Sequence, residues 1–504
     1  MPTLPTPPKL PNLRKIARER RIQRIGRVLY QRVLLRSGRQ VAKRLHLDSR
    51  NVLLFLLAVV LAGVTIPLLE PTGLPREAIL MASIFVIASL LWVTEALPLF
   101  ATAIVIIGLQ VVLLANPGEW AALGFEDGPT PDYRTFLEPL ADPIIVLFFG
   151  GFVLAKGATK QNIDLALAGI ILRVFRGRPE LVMLGLMLVT AVFSMWMSNT
   201  ATTAMMITLV VPMLQQVPKG DPLRKGLLLS VPLAANIGGM GTPIASPPNA
   251  VAVGFLQSAG YEVSFLDWML MAVPLMMALL AVTWVLLRRL FPPANENLHL
   301  APEEQEITSW GWFVVVVFVV TIGLWLSEAW HGLPTAVVAM VPAIAFTATA
   351  MLKQHDINGL EWNILILIAG GIALGRGMQL TGLDVALVES LPMTAVLVLP
   401  VLIVATLLLS TFMSNTAAAN LLLPIGVSFA VALPGPGAVV VGVCIALAAS
   451  VSMALPVSTP PNAIAYAQGD LETNDFIRIG AMVGVIAITL IVLFGNPIVS
   501  FWMT

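Results

Sequence analysis

Apolar stretches of about 20 residues recur along this chain, each long enough to cross a hydrocarbon layer roughly 30 Å thick. Backbone amides and carbonyls in lipid must be satisfied within the chain, so stretches of this kind fold as helices. They fall at 52–69, 78–95, 98–115, 142–172, 226–256, 268–287, 310–328, 334–352, 362–380, 438–467 and 478–498, which predicts eleven crossings. Two further apolar segments, 181–215 and 392–430, are longer and carry a polar Ser-Asn-Thr near the middle. Length and break suit a helix-turn-helix hairpin that enters and leaves by one side of the membrane. Only 11% of the residues are charged and 58% are hydrophobic. A water-facing surface needs more charge than this, since soluble chains carry roughly 25%. Soluble enzymes, nucleic-acid-binding domains and disordered chains are thereby excluded. The single cysteine, Cys444, lies in an apolar run, so neither a disulfide framework nor a cysteine-based metal site is available.

Charge placement predicts orientation. Fourteen of the 29 basic residues lie in the first 50 positions, opposed there only by Glu19 and Asp48. The positive-inside rule puts this end in the cytoplasm of a cell (inner) membrane protein. Segment 116–140 then falls outside and is acidic, whereas Arg173, Arg176, Arg178, Lys219, Arg224, Lys225, Arg288, Arg289 and Lys353 fall inside. The C-terminus falls outside. Segment 9–47 also has the pattern of an in-plane amphipathic helix, with Leu13, Ile16, Ile25 and Leu29 on one face.

The chain repeats itself. Phe148-Phe149-Gly150-Gly151 through Lys156-Gly157 matches Ile368-Ala369-Gly370-Gly371 through Arg376-Gly377. Met197-Ser198-Asn199-Thr200-Ala201 recurs unchanged as Met413-Ser414-Asn415-Thr416-Ala417, with Ser194 and Ser410 four residues before each triplet serine. Pro243 to Ala252 pairs with Pro456 to Ala465, six of the ten residues being identical. Three blocks in one order at similar separations indicate a duplication. Five crossings separate the copies, an odd number, so the copies face opposite ways. Inverted repeats with interrupted helices near the midplane are a hallmark of secondary transporters.

The repeated residues suggest chemistry. Pro247-Pro248 and Pro460-Pro461 each remove two amide donors and break a span. The freed carbonyls suit a cation, the next half-helix N-terminus suits an anion, and Asn249 and Asn462 can brace the gap. The Ser-Asn-Thr tips offer oxygens for a hard cation such as Na⁺ and N–H or O–H donors for a carboxylate or sulfate. They also cap helices well, which is the plainer reading. No Lys or Arg lies near the tips in sequence, and the expected site carries no charge at all. A dianion there pays for desolvation unless cations bind with it. Each net positive charge carried inward also gains roughly 2.3 kcal/mol per 100 mV. No Gly-Lys-[Ser/Thr] phosphate loop is present, and the histidines His46, His299, His331 and His355 are scattered at span ends. These absences argue against an ATP-driven pump and an intramembrane enzyme. Asp164, Asp384 and Glu389 read as interfacial rather than as proton-carrying acids, and Lys156 and Arg376 as span ends or as a functional pair.

Two Ser-Asn-Thr tips, each followed by a Pro-Pro-Asn break, resemble the divalent anion/sodium symporter family. Trp92-Val93-Thr94-Glu95-Ala96-Leu97-Pro98 resembles the Trp-x-Thr-Glu-Ala-[Ile/Leu]-Pro signature of that family. The resemblance spans about 52–500. It implies an all-α polytopic membrane protein with eleven transmembrane helices and two re-entrant hairpins, working as a homodimeric elevator in the lipid bilayer. Residues 1–51 would form a basic cytoplasmic segment, 52–180 and 310–390 a scaffold, 181–287 and 391–504 the moving transport part, and 288–309 a cytoplasmic loop. One Na⁺ would be held by Ser194, Ser198, Asn199 and the carbonyl of Ala245, the other by Ser410, Ser414, Asn415 and the carbonyl of Ser458. The family often has Gly at the position of Ala245, which adopts φ > 0 more freely. The anion would touch Ser198, Asn199, Thr200, Ser414, Asn415 and Thr416, with Ser246-Pro247 and Thr459-Pro460 at the breaks. With no large soluble insertion, the resemblance favours a small dicarboxylate of the succinate, malate or fumarate class over sulfate or citrate. Na⁺-independent exchange of dicarboxylates, and an anion sensor that does not transport, are the alternatives. No nucleic-acid partner is expected.

Overall fold

The computed structural model describes residues 49–503, apart from 122, 127–128, 176–177, 295–306, 391–393, 434 and 436. The expected amphipathic segment 9–47, and His46 and His299, lie outside the described residues. The chain divides into two compact units, 1–57 and 58–504. The described part of the first is the opening of helix α1 (Ser49–Leu69), and all other elements belong to the second.

These elements are α2 (Arg76–Thr94), α3 (Leu99–Leu109, continued by a π-helical turn over Gln110–Ala115), α4 (Pro143–Lys160), α5 (Ile163–Val174), α6 (Pro179–Ser194), α7 (Asn199–Leu214), α8 (Pro222–Gly238), α9 (Pro247–Ser258), α10 (Phe265–Leu290), α11 (Ser309–Leu326), α12 (Met340–Ala348), α13 (Trp362–Thr381), α14 (Leu383–Ser390), α15 (Ala395–Phe412), α16 (Asn415–Ala432), α17 (Ala438–Ser450), α18 (Pro460–Tyr466) and α19 (Thr473–Met503). A few single helical turns lie between them, and no strand occurs among the described residues.

Among the described residues, eight helices are long and apolar enough to cross a membrane. Seven of them overlap expected crossings, and the eighth, Asn415–Ala432, forms the second arm of the expected hairpin 392–430 and runs two residues past it. The remaining expected crossings are shorter or interrupted. Segment 142–172 is not one helix: it divides into α4 and α5 at Asn162, which takes the left-handed conformation at φ 52°. Asparagine tolerates that region because its short side chain bonds locally. Asp164, expected at an interface, is 2% exposed. It sits in the first turn of α5, where the positive end of the helix favours a carboxylate.

The two copies of the repeat pack through each other. Helix α9 lies against α17, and α8 lies against α18, so each broken helix touches the other's opposite half. Ion pairs reinforce this union at the start of α8, with Arg224 at 2.8 Å from Asp470 and Lys225 at 2.8 Å from Asp475. The duplicated glycine pairs explain themselves by close approach. A Cβ on Gly150 would strike Ala339 and one on Gly370 would strike Ala103, while Gly151 faces Ile244 and Gly371 faces Asn420. In each copy the first glycine meets one neighbour and the second meets another.

Candidate functional site

The two breaks have a common local cause. The residue before a proline is pushed toward extended backbone, and a proline at the first helical position loses no bond it would have made. Ser246 is accordingly extended (φ −143°, ψ 137°) before Pro247, and Thr459 (φ −139°, ψ 147°) before Pro460. The proline pairs therefore start α9 and α18, and the unwound backbone lies upstream at 239–246 and 451–459. The asparagine after each pair braces that backbone. The Asn249 amide donates to the carbonyls of Gly239 (2.8 Å) and Thr242 (2.9 Å). The Asn462 amide donates to those of Met453 (3.0 Å) and Leu455 (2.8 Å). Each break is also held from the other copy. The Asn236 amide donates to Thr459 Oγ1 (3.1 Å) and Asn462 Oδ1 (3.2 Å), while the Ser450 hydroxyl donates to Ser246 Oγ (3.4 Å).

The hairpin tips are built alike. Helices α6 and α7 join through residues 195–198, with Ser198 as the N-cap of α7, and α15 and α16 join with Ser414 as the N-cap of α16. Behind the first tip, the buried Ser194 hydroxyl lies 2.6 Å from Asn199 Oδ1 and 2.7 Å from the Ala235 carbonyl. Behind the second, Ser410 lies 2.6 Å from Asn415 Oδ1 and 3.0 Å from the Ala449 carbonyl. Both asparagines turn their carbonyl toward the serine. A hydroxyl has one proton to give, so each triad gathers three oxygens around a single hydrogen. Such a cluster is suited to a hard cation. Sequence reasoning missed Ala235 and Ala449, whose main-chain oxygens have no sequence signature. Ala245 is not among the residues with φ > 0, so the backbone there makes no demand for glycine.

All ten residues expected around the anion line one cavity of about 920 Å³, as do Ala245 and Ser458, whereas Ser194 and Ser410 stand behind it. The N-termini of α7, α9, α16 and the shorter α18 converge on it, each bringing the positive end of a helix dipole. Among the described residues no Lys or Arg lines it, but Glu95 and Glu361 do. The expectation of a site without charge is therefore corrected: its fixed charge is negative. The sequence reading saw no charge because both carboxylates come from elements remote from the tips. Glu95 (φ 49°) ends α2 in the Trp92 signature, where the Trp92 indole donates to the Leu99 carbonyl at 3.2 Å and fixes the turn. Glu361 precedes α13, on a segment anchored by the ion pair between Lys160 and Asp356. Burial pushes the Glu361 carboxyl above its ordinary range, and the Ser198 hydroxyl, 3.1 Å away, draws it partly back. Arg376, equivalent to Lys156 in the repeat, pairs with Glu138 at 2.7 Å and does not line the cavity.

Gly239 tests whether the first triad must keep its shape. A Cβ there would sit 2.5 Å from Asn199 Oδ1. Gly239→Ala should shift that carboxamide and lower uptake at least tenfold, the scale of one lost charge-assisted bond. Transport within twofold of the parent would show that the carboxamide has room to move.

A family model described as "Sodium:sulfate symporter transmembrane region" matches residues 48–504. The chain belongs to this family. A Haemophilus influenzae protein described as an uncharacterized transporter is 30% identical over 491 residues, covering 92% of this chain and 100% of that one. The sodium-dependent dicarboxylate transporter SdcS of Staphylococcus saprophyticus is 29% identical over 485 residues, covering 87% and 89%. Among solved structures, the YdaH transporter of Alcanivorax borkumensis aligns with a TM-score of 0.54 at 14% identity, over 81% of this chain and 98% of that one, a likeness of fold. Family membership makes the chain a multi-pass membrane transporter and not an enzyme, in keeping with its long apolar helices.

Proposed function

We propose that the protein is a Na⁺-coupled carrier of small dicarboxylates of the succinate, malate and fumarate class. The observation that carries this reading is the pair of oxygen triads, Ser194–Asn199–Ala235 and Ser410–Asn415–Ala449, standing behind one cavity. Each triad would hold one Na⁺, with Ser198 and the Ala245 carbonyl completing the first, and Ser414 and the Ser458 carbonyl the second. The anion would lie between the tips, held by the Ser-Asn-Thr hydroxyls and amides and by the N–H groups of the helix starts. Two carboxylates line a cavity without a basic residue, so a dianion meets repulsion unless cations enter with it. Coupling follows from that charge balance. The similarity to SdcS, named for dicarboxylates, supports the substrate class.

The wider reading is an elevator in a homodimer with eleven crossings, two re-entrant hairpins, a cytoplasmic N-terminus and an external C-terminus. In it, 181–287 and 391–504 move past 52–180 and 310–390. Sulfate is the second reading, because the family description names it. Radiolabelled succinate uptake into proteoliposomes should rise at least tenfold when an inward Na⁺ gradient is imposed. Uptake indifferent to Na⁺ but driven by internal dicarboxylate would replace symport with exchange. Sulfate moving while no dicarboxylate does would sink the substrate class, and binding without flux would make the protein a sensor.

A further inference from the structure

The Glu361 carboxylate has no part in the coordination scheme above, yet it lines the cavity. We propose that Glu361 stands in for a carboxylate of the transported anion at the first hairpin tip, and that the anion must displace it to bind. The proposal rests on the reading of this cavity as the anion site.

Three observations carry it. Glu361 Oε1 accepts the Ser198 hydroxyl at 3.1 Å. Ser198 is the N-cap of α7, a helix of 16 residues, and accepts from the Ala201 N–H. The carboxylate thus stands at a helix start, where negative charge is favoured and where a substrate carboxylate would bind. Finally, Ser198 is the only side chain that bonds Glu361 among the described residues, and no Lys or Arg lines the cavity to hold the carboxylate elsewhere. A half-buried carboxylate with a single hydroxyl partner is a weakly held ligand, ready to give way.

Two anionic carboxylates do not share one hydroxyl and one helix start without strong repulsion. Binding of the anion therefore costs the Glu361–Ser198 bond. That bond joins the α6–α7 hairpin to the segment leading into α13, so the same event releases the hairpin from that segment. Glu95, the other acid in the cavity, makes no described bond to Ser414, so the second tip is not held in this way.

Glu361→Gln tests the proposal. The amide keeps the size of the side chain and removes the competing charge. The KM for succinate should fall about tenfold, the scale of one charge-assisted hydrogen bond, with maximal velocity not increased. Glu361→Asp, whose shorter arm draws back from Ser198, should fall between. A merely structural role would raise KM or lower the yield of folded protein, so a gain in affinity separates the two. KM unchanged or raised in both variants, with both monodisperse after purification, would overturn the proposal. If the parent moves sulfate and no dicarboxylate, the dicarboxylate reading fails, but the same drop in sulfate KM keeps this inference and an unchanged sulfate KM ends it. A parent that neither binds nor moves any of these anions would end both.

Discussion

Alanine at Asn199 or at Asn415 is expected to abolish anion uptake and leave the protein folded. Each carboxamide oxygen lies 2.6 Å from a serine hydroxyl and forms one corner of an oxygen triad. Its removal takes an uncharged but strongly polar ligand from a cation that has few others. Hydrogen bonds to charged groups contribute about 1.5–3 kcal/mol, so cation affinity should drop roughly 10- to 150-fold at that triad. Because the cation also offsets the charge of the anion, the loss compounds in coupled uptake. Folding should suffer little, since the serine keeps the main-chain carbonyl of Ala235 or Ala449 as acceptor. Uptake in proteoliposomes, beside thermal unfolding of the purified variants, checks both halves. Near-normal uptake in either variant would remove its asparagine from the site.

Replacing Asn462 with leucine should act in the opposite way, through stability. Asn462 is fully buried; its amide satisfies the Met453 and Leu455 carbonyls, and its oxygen accepts from Asn236. Leucine of similar size breaks all three bonds and strands the buried Met453 carbonyl, while the Leu455 carbonyl keeps Ser458 and Asn236 keeps Thr459. The stranded group costs about 1–3 kcal/mol and each other lost bond about 1 kcal/mol. A loss of about 3 kcal/mol or more and a fall of several degrees in unfolding temperature are expected. Asn249→Leu should be milder, because the Asn249 oxygen has no hydrogen-bond partner among the described residues and only two bonds are lost, the Thr242 carbonyl keeping the Ala245 N–H. Fluorescence-monitored melting of the two variants gives the comparison, and the reverse order would show that the breaks are not braced as described.

Much of the site was legible in the sequence because its causes are local. A proline pair fixes where a half-helix begins, and a Ser-Asn at a tip fixes a cap, so the repeated blocks marked the positions that line the cavity. The parts that were not legible are made by tertiary packing. Glu361 meets Ser198 from 163 positions away, and Asn236 meets Thr459 from 223. The carbonyls of Ala235 and Ala449 belong to apolar helices whose side chains carry no hint of the role. The division of 142–172 at Asn162 is of another kind: the polar run Thr159-Lys160-Gln161-Asn162 marks it in the sequence, and a single left-handed residue, a conformation asparagine adopts at small cost, turns the chain there.

The reciprocal bonds at the breaks bear on how such a chain could arise. Asn236 of the first copy secures the second break, and Ser450 of the second copy reaches Ser246 at the first. Neither half contains everything its own broken helix uses. A half-length chain would meet the same shortage and could relieve it beside a second copy of itself. Joined in one chain, the two copies serve each other with different residues, asparagine on one side and serine on the other.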